Sequence, residues 1–242
     1  MRKSFVGLMG DDRRKGRNAR IENRHMRSVI SVVQRKGGAG KTTIAISLAG
    51  DLHHRGILVD VIDADPQRSA AEWAAPGRLP FRVSEVPLHY GEAARWARLV
   101  GSSPGSVTII DTPPHEYAVG AAVAVADIVV LPCTASGLDL SATEETISAI
   151  AFARSKRDAD VPTFLVPNRV DSRTLEGQQI VGALGEMGEM VCGPIASRLA
   201  YVRAFSAGIL PRGYAISTEL AGLSEPVLEA IQLMTQARFP AI

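Results

Sequence analysis

Gln34-Arg35-Lys36-Gly37-Gly38-Ala39-Gly40-Lys41-Thr42-Thr43 sets three glycines between two lysines. The residues before it, Val29–Val33, form a short apolar run rich in β-branched side chains, as a buried strand does. The residues after it, Thr43–Leu52, carry helical spacing, and Gly56 offers a stop. Strand, glycine-rich turn and helix, in that order, are the setting of a phosphate-binding loop. Glycines at 37, 38 and 40 let the backbone curl without Cβ clashes, so that successive N–H groups from Gly37 through Thr43, Ala39 included, converge on an anion at a helix N-terminus. Lys41 then reaches the β- and γ-phosphates of a nucleotide, and the Thr42 hydroxyl is placed to ligate Mg²⁺.

The spacing departs from the ordinary G-x-x-x-x-G-K-[ST] pattern, which wants a glycine where this chain has Arg35. Lys36 opens the loop instead. One lysine suffices to hold a phosphate, so the second needs another task.

Beyond the loop, strands are expected at Ile57–Ile62, Ser106–Asp111, Asp127–Pro132 and Pro162–Pro167, with a weaker one at Met190–Ile195. Helices are expected between them, at Ser141–Arg154 and Leu175–Leu184, with a last one from about Pro226 to Ala237. Ala75–Pro87 is poor in pattern and reads as a surface excursion. The alternation predicts an α/β fold, a doubly wound and mostly parallel sheet with helices on both faces. Residues 27–242 read as one P-loop domain, with no internal repeat or low-complexity linker. The expected strands end in acids: Asp63-Ala64-Asp65-Pro66-Gln67 follows the second, and Asp111-Thr112-Pro113-Pro114 follows the third. In open α/β sheets ligands bind at such strand ends. A single strand ending in Asp is common; three elements in this order carry weight together.

The loop resembles that of the deviant Walker A ATPases, the ParA/MinD family, whose motif reads KGGxGKT, and the resemblance runs from about residue 27 to the end. Membership would explain both lysines: Lys41 serves its own nucleotide, and Lys36 crosses a two-fold interface to the phosphates held by a second copy, so that ATP cements a homodimer. The resemblance implies ATP and Mg²⁺ as cofactors and slow, partner-stimulated hydrolysis. Its catalytic residues would be Lys36, Lys41 and Asp65, with Asp65 orienting the attacking water. Thr42, Asp63 and Asp111 would serve the metal, Asp111 as the Walker B acid. Thr112-Pro113-Pro114 would sense the γ-phosphate. Asn168 would contact adenine, although a strand-end turn asparagine explains it equally well. No arginine finger is evident.

The 242 residues are 46% hydrophobic with mean hydropathy +0.08, enough for a sizeable core. No apolar run approaches the roughly 20 residues of a membrane-spanning helix, and no signal-peptide pattern precedes the first strand. Cys133 and Cys192 are far apart, without metal-ligand spacing. They read as buried thiols of a cytoplasmic protein, not as the paired cluster ligands of the nitrogenase-type redox relatives. Formal charge is +2 overall but uneven, with +6 in residues 1–28 and −4 in the rest. Residues 1–26 therefore read as a basic, disordered extension, and 1–25 either add DNA affinity or precede a natural start at Met26.

Among family members, the segment Asp63–Trp73 and the stretch Ile195-Ala196-Ser197-Arg198, followed by Tyr201, Ala204 and Gly208, look most like small plasmid-type partition ATPases. That resemblance implies non-specific DNA as partner, through Arg198, Arg203 and Arg212, with the protein on the nucleoid and a ParB-like adaptor stimulating turnover. Scattered surface charge is the alternative for those arginines, since no basic run is present there. Two other outcomes stay open within the family. One is a MinD-like membrane switch, but the terminal segment sets Val227, Leu228, Ile231 and Leu233 beside a single basic residue, Arg238, so it reads as packed on the domain and no stable membrane association is expected. The other is positioning of a protein cargo, such as a chemoreceptor array or microcompartment.

Overall fold

The computed structural model describes residues 27–238. The basic extension expected at 1–26 lies outside them. Seven strands alternate with helices along the chain: β1 (Ser28–Val32), α1 (Lys41–His54), β2 (Val59–Asp63), α2 (Ser69–Ala74), β3 (Arg82–Glu85), α3 (Ala93–Val100), β4 (Val107–Asp111), α4 (Glu116–Val125), β5 (Ile128–Cys133), α5 (Gly137–Arg154), β6 (Thr163–Pro167), α6 (Leu175–Gly185), β7 (Met190–Val191), α7 (Leu199–Ala207) and α8 (Tyr214–Arg238). They form one sheet in the order β3-β2-β4-β1-β5-β6-β7 with every pairing parallel. The expectation of a mostly parallel sheet thus becomes an all-parallel one.

The central strands are buried on both faces, as a parallel sheet covered by helices requires. In β5, Ile128 and Val130 join the core beneath α1 and α8, while Val129, Leu131 and Cys133 join the core beneath α4, α5 and α6. β1 lies between β4 and β5, where the connections change direction: the chain runs outward to β2 and β3, returns through β4, then crosses to β5. This switch point opens a crevice at the carboxyl ends of the strands. The phosphate loop, Asp63, Asp111 and Asn168 all follow or end strands on that rim.

Three expectations are corrected. Ala75–Pro87 contains the edge strand β3, which pairs Asp60 with Arg82 and Asp63 with Glu85. Its residues are exposed or half-buried, so the buried apolar signature of the inner strands is missing; Leu79, Phe81 and Val83 still pack on the core. The last helix begins at Tyr214, well before Pro226, which lies inside it. Pro226 has no N–H to give the Gly222 carbonyl one turn back. That carbonyl accepts instead from Gly193 N at 3.2 Å, so the proline costs the helix no satisfied acceptor. A proline that reads as a helix start in the sequence is an interior residue whose lost bond another segment replaces. β7 is also shorter than expected, two residues only.

Candidate active site

The loop is held in shape before any ligand arrives. Val33 N donates to Val130 O at 2.9 Å as β1 ends. The next side chain, Gln34, is 1% exposed and uses its whole amide. Its Nε2 donates to Pro132 O at 3.3 Å and Thr143 Oγ1 at 3.1 Å, and its Oε1 accepts from Thr146 Oγ1 at 2.8 Å and Lys36 N at 3.3 Å. A buried, fully bonded amide fixes a loop stem well. Gly38 and Gly40 then adopt φ of 80° and 92°, the left-handed region that disfavours a Cβ. At Gly40 sterics add to this, because a Cβ would come within 2.2 Å of Asn168 Nδ2.

Helix α1 starts at Lys41 with Gly40 as its cap, no side-chain capping bond and no acid in its first turn. Its first N–H groups therefore remain available to an anion. Space for that anion exists: a cavity of about 670 Å³ is lined by Gly37, Gly38, Gly40, Lys41, Thr42 and Thr43, with Asp65 and Asn168 in its wall. These residues meet at one cavity, whereas Lys36, Ala39, Arg203 and Arg212 do not line it, nor do Asp63 and Asp111, of which Asp111 is tied to the site by Thr42 and Asp63 stands beside Asp111.

The acids divide by role. Thr42 Oγ1 donates to Asp111 Oδ2 at 2.6 Å, whereas Asp111 Oδ1 is buried without a donor. Burial pushes the Asp111 carboxyl up to about 7; the Thr42 hydrogen bond opposes the rise and nearby Asp63 adds to it. Asp63 stands beside Asp111 in sheet register and is also raised by burial. Both Asp63 oxygens accept backbone N–H groups, Oδ1 from Asp65 at 3.1 Å and Oδ2 from Ala71 at 2.8 Å, so this carboxylate shapes the turn that presents Asp65. Lys41 is buried, which lowers its pKa, while Asp111 and Asp65 pull the other way. An orphaned buried acceptor beside a hydroxyl, with a second buried carboxylate adjacent, fits a hard divalent cation with oxygen ligands. Thr42 and Asp111 are the residues that would hold Mg²⁺, which would neutralise phosphate charge.

The two loop lysines part company. Lys41 enters the cavity wall, and its Nζ donates to Lys36 O at 3.4 Å. Lys36 does not line the cavity; its Nζ pairs with Asp139 at the start of α5, and its side chain is 37% exposed. Ala39 is buried, and its carbonyl accepts from Asn168 Nδ2 at 2.8 Å. Asn168 thus braces the loop in addition to facing the cavity. Of the three arginines assigned to DNA, Arg198 lines the cavity and is held by Glu219, with Nε and Nη2 at 3.0 and 2.5 Å from Oε1. Arg203 on α7 and Arg212 before α8 are exposed and make no salt bridge among the described residues.

Part of the wall has no site role in the sequence reading, which names Ser197 and Tyr201 only as marks of resemblance. Arg169, Ser197, Tyr201, Val202 and Phe205 also line the cavity. Arg169 sits at φ 54°, unusual for a non-glycine residue. The three α7 side chains share the i, i+1, i+4 spacing of one helix face, the signal that could have found them. Asp139 was missed as well. Ser136 and Asp139 have capping-box spacing, which marks the start of α5 but says nothing of Lys36.

The family model described as the CobQ/CobB/MinD/ParA nucleotide binding domain matches residues 30–211, from β1 through the whole cavity. The chain belongs to this family. Within it, the maintenance of carboxysome distribution protein A of Gloeobacter kilaueensis is 32% identical over 74% of this chain and 78% of its own length. Protein ParA of Rhizobium radiobacter is 29% identical over 74% of this chain and 83% of its own. Solved structures agree on the fold. A plasmid partition protein of Borrelia burgdorferi bound to AMPPNP superposes with a TM-score of 0.68 at 18% identity, covering 84% of this chain and 99% of that one. The ATP complex of McdA from Cyanothece gives 0.69 at 21% identity, covering 86% and 97%. The architecture is that of the P-loop ATPases of the ParA/MinD family.

Proposed function

We propose that this protein is a ParA-type ATPase switch that binds Mg·ATP, dimerises face to face around two nucleotides, and in that form binds DNA without regard to sequence. The observation that carries the reading is the separation of the two loop lysines. Lys41 serves the cavity of its own protomer, while the Lys36 ammonium lies outside it on the exposed side, where a second copy can present a triphosphate. A charge–phosphate contact across a two-fold interface makes assembly depend on nucleotide. Exposed apolar side chains supply surface for such a contact: Val202 and Phe205 line the cavity and are 62% and 40% exposed, and away from its lining Leu138, next to Asp139, is 79% exposed.

Asp65 lies in the wall of the cavity; its Oδ1 accepts from Gln67 N at 2.9 Å, and its other oxygen is the one to orient a water and accept its proton during hydrolysis. Slow turnover until an adaptor protein binds suits a timer. The ATP dimer doubles the positive surface, so that Arg203 and Arg212, weak singly, act in pairs. Arg198 contributes less because Glu219 neutralises it. The relatives named for plasmid partition and for carboxysome distribution support one ATPase cycle with different cargoes, on a plasmid, a chromosome or a protein body. A membrane-bound cycle finds less support. Among the described residues no helix is long and apolar enough to cross a membrane. On α8, Val227 and Ile231 are buried and Leu228 packs on the core, so that of its apolar residues toward the end only Leu233 is largely exposed among the described residues.

The test is anisotropy of a labelled random duplex titrated with protein at several salt concentrations, with a non-hydrolysable ATP analogue or ADP. Binding only with the analogue, with a salt slope that falls by about 1 per phosphate contact in Arg203→Ala and Arg212→Ala, is expected. Equal binding with ADP, or pelleting with anionic vesicles in place of DNA binding, would contradict the proposal.

A further inference from the structure

The partner of Lys36 within its own protomer has a consequence for assembly. Asp139 Oδ1 holds the Lys36 ammonium, and Asp139 Oδ2 accepts the hydroxyls of Thr134 and Ser136, the latter at 2.6 Å. The carboxylate lies in the first turn of α5, where the helix N-terminus favours negative charge, and its own N–H reaches Ser136 Oγ at 3.2 Å. Burial would raise its pKa, yet the Lys36 ammonium and the Ser136 and Thr134 hydroxyls together hold it below the usual carboxylate range. Asp139 is therefore a fixed anion, 12% exposed, facing a cation on a flexible stem.

Glu116 and Glu145 line the same groove as Lys36 but are paired elsewhere. Arg35, the preceding residue, is occupied by Glu116 at 3.3 Å and Glu145 at 3.1 Å, and Asp139 is the one carboxylate paired with Lys36 among the described residues. The contact between the two lysines is through the Lys36 backbone carbonyl, which accepts from Lys41 Nζ, so release of the Lys36 ammonium leaves it in place.

From this geometry we propose that Asp139 is a positioning residue that holds Lys36 on its own protomer, so that dimerisation requires the ammonium to leave it for the other copy's nucleotide. The inference rests on the trans role given to Lys36 above. Asp139 thereby sets a threshold, since the dimer forms only when two triphosphates outcompete two carboxylates. A partly exposed ion pair of this kind alters an equilibrium by up to about fivefold, and a two-fold dimer releases two, so the dimer constant changes by up to roughly twenty-fivefold.

Sedimentation equilibrium in saturating non-hydrolysable ATP analogue tests it, with wild type, Asp139→Asn, Asp139→Glu, Lys36→Ala and the Lys36→Ala/Asp139→Asn double variant. Asp139→Asn retains an oxygen for Thr134 and Ser136 but releases the ammonium. It is expected to tighten the dimer severalfold, up to about twenty-fivefold, with analogue affinity of the dilute protomer unchanged. Asp139→Glu should restore wild-type behaviour, and in the Lys36→Ala background Asp139→Asn should have no effect. Should Asp139→Asn melt early, Asp139→Ser carries the same expectation. An Asp139→Asn dimer no tighter than wild type, beside a monomeric Lys36→Ala, would overturn this inference alone. A Lys36→Ala variant that dimerises like wild type would overturn the trans role and the inference together.

Discussion

Thr42 and Asp111 come from different elements, the first turn of α1 and the end of β4, and Thr42 Oγ1 donates to Asp111 Oδ2 across 2.6 Å. The bond ties the phosphate loop to the sheet at the point where a divalent cation is needed. It leaves the other Asp111 oxygen buried and bare.

That bare oxygen has a measurable cost. Asp111 is pushed up to about 7 and Asp63 is also raised, both chiefly by burial. An acid raised on folding favours the folded state while protonated; that contribution is complete below about pH 4 and is lost as pH climbs through about 7. In nucleotide-free protein at pH 8 the ionised Asp111 therefore destabilises the fold. Asp111→Asn is expected to raise the melting temperature by several degrees at pH 8, with the gain shrinking toward pH 4, and to abolish the improvement in ATP affinity that Mg²⁺ gives wild type. Identical melting curves at pH 8 would count against a buried, bare carboxylate.

Gly40 carries both a backbone and a steric demand. With φ at 92° and Asn168 Nδ2 at 2.2 Å from a would-be Cβ, Gly40→Ala strains the loop and displaces the asparagine that braces Ala39. A loss on the order of 1–3 kcal/mol in stability is expected, with ATP binding lost below detection by isothermal calorimetry. Wild-type affinity in that variant would mean that the loop tolerates a shape other than this one.

Asp65 faces the cavity from a turn that the buried Asp63 holds in place. Asp65→Ala is expected to slow single-turnover hydrolysis by about a hundredfold while leaving ATP binding intact, so that ATP dimers persist on gel filtration. An unchanged rate would move the water-orienting role to another residue.

Neither cysteine is placed for chemistry. Both are buried, and burial raises both thiols, that of Cys192 to about 12. Thiol–disulfide titration with Ellman's reagent at pH 8 should find neither reactive in native protein, both becoming so only across the denaturant transition. A thiol that reacts within seconds under native conditions would contradict the packing around it.

The readable parts of this chain are those where local chemistry and fold demand the same residues. Glycines 38 and 40 are required by their own backbone angles, and the acids at 63 and 111 end strands whose buried runs are visible in the sequence, with Asp65 in the turn after the first. Edge strand β3 was not legible because it is half exposed and shows no buried run. The first three turns of α8 were hidden behind Pro226, whose missing hydrogen bond is compensated by Gly193, a residue remote in sequence. The site follows the same division. Lys36 stands out in the loop, but its ion pair with Asp139 depends on the packing of α5 against the loop stem. The Arg198–Glu219 pair, which weakens one arginine assigned to DNA, likewise joins separate elements.

Sedimentation of Lys36→Ala with a saturating non-hydrolysable ATP analogue bears most directly on the switch. With wild type and the Lys41→Ala variant as controls, wild type should sediment as a dimer and Lys41→Ala should bind no analogue. Lys36→Ala should bind the analogue with near wild-type affinity and remain a monomer. A Lys36→Ala protein that binds the analogue and dimerises as wild type does would show that the first lysine of the loop has no part in joining two copies.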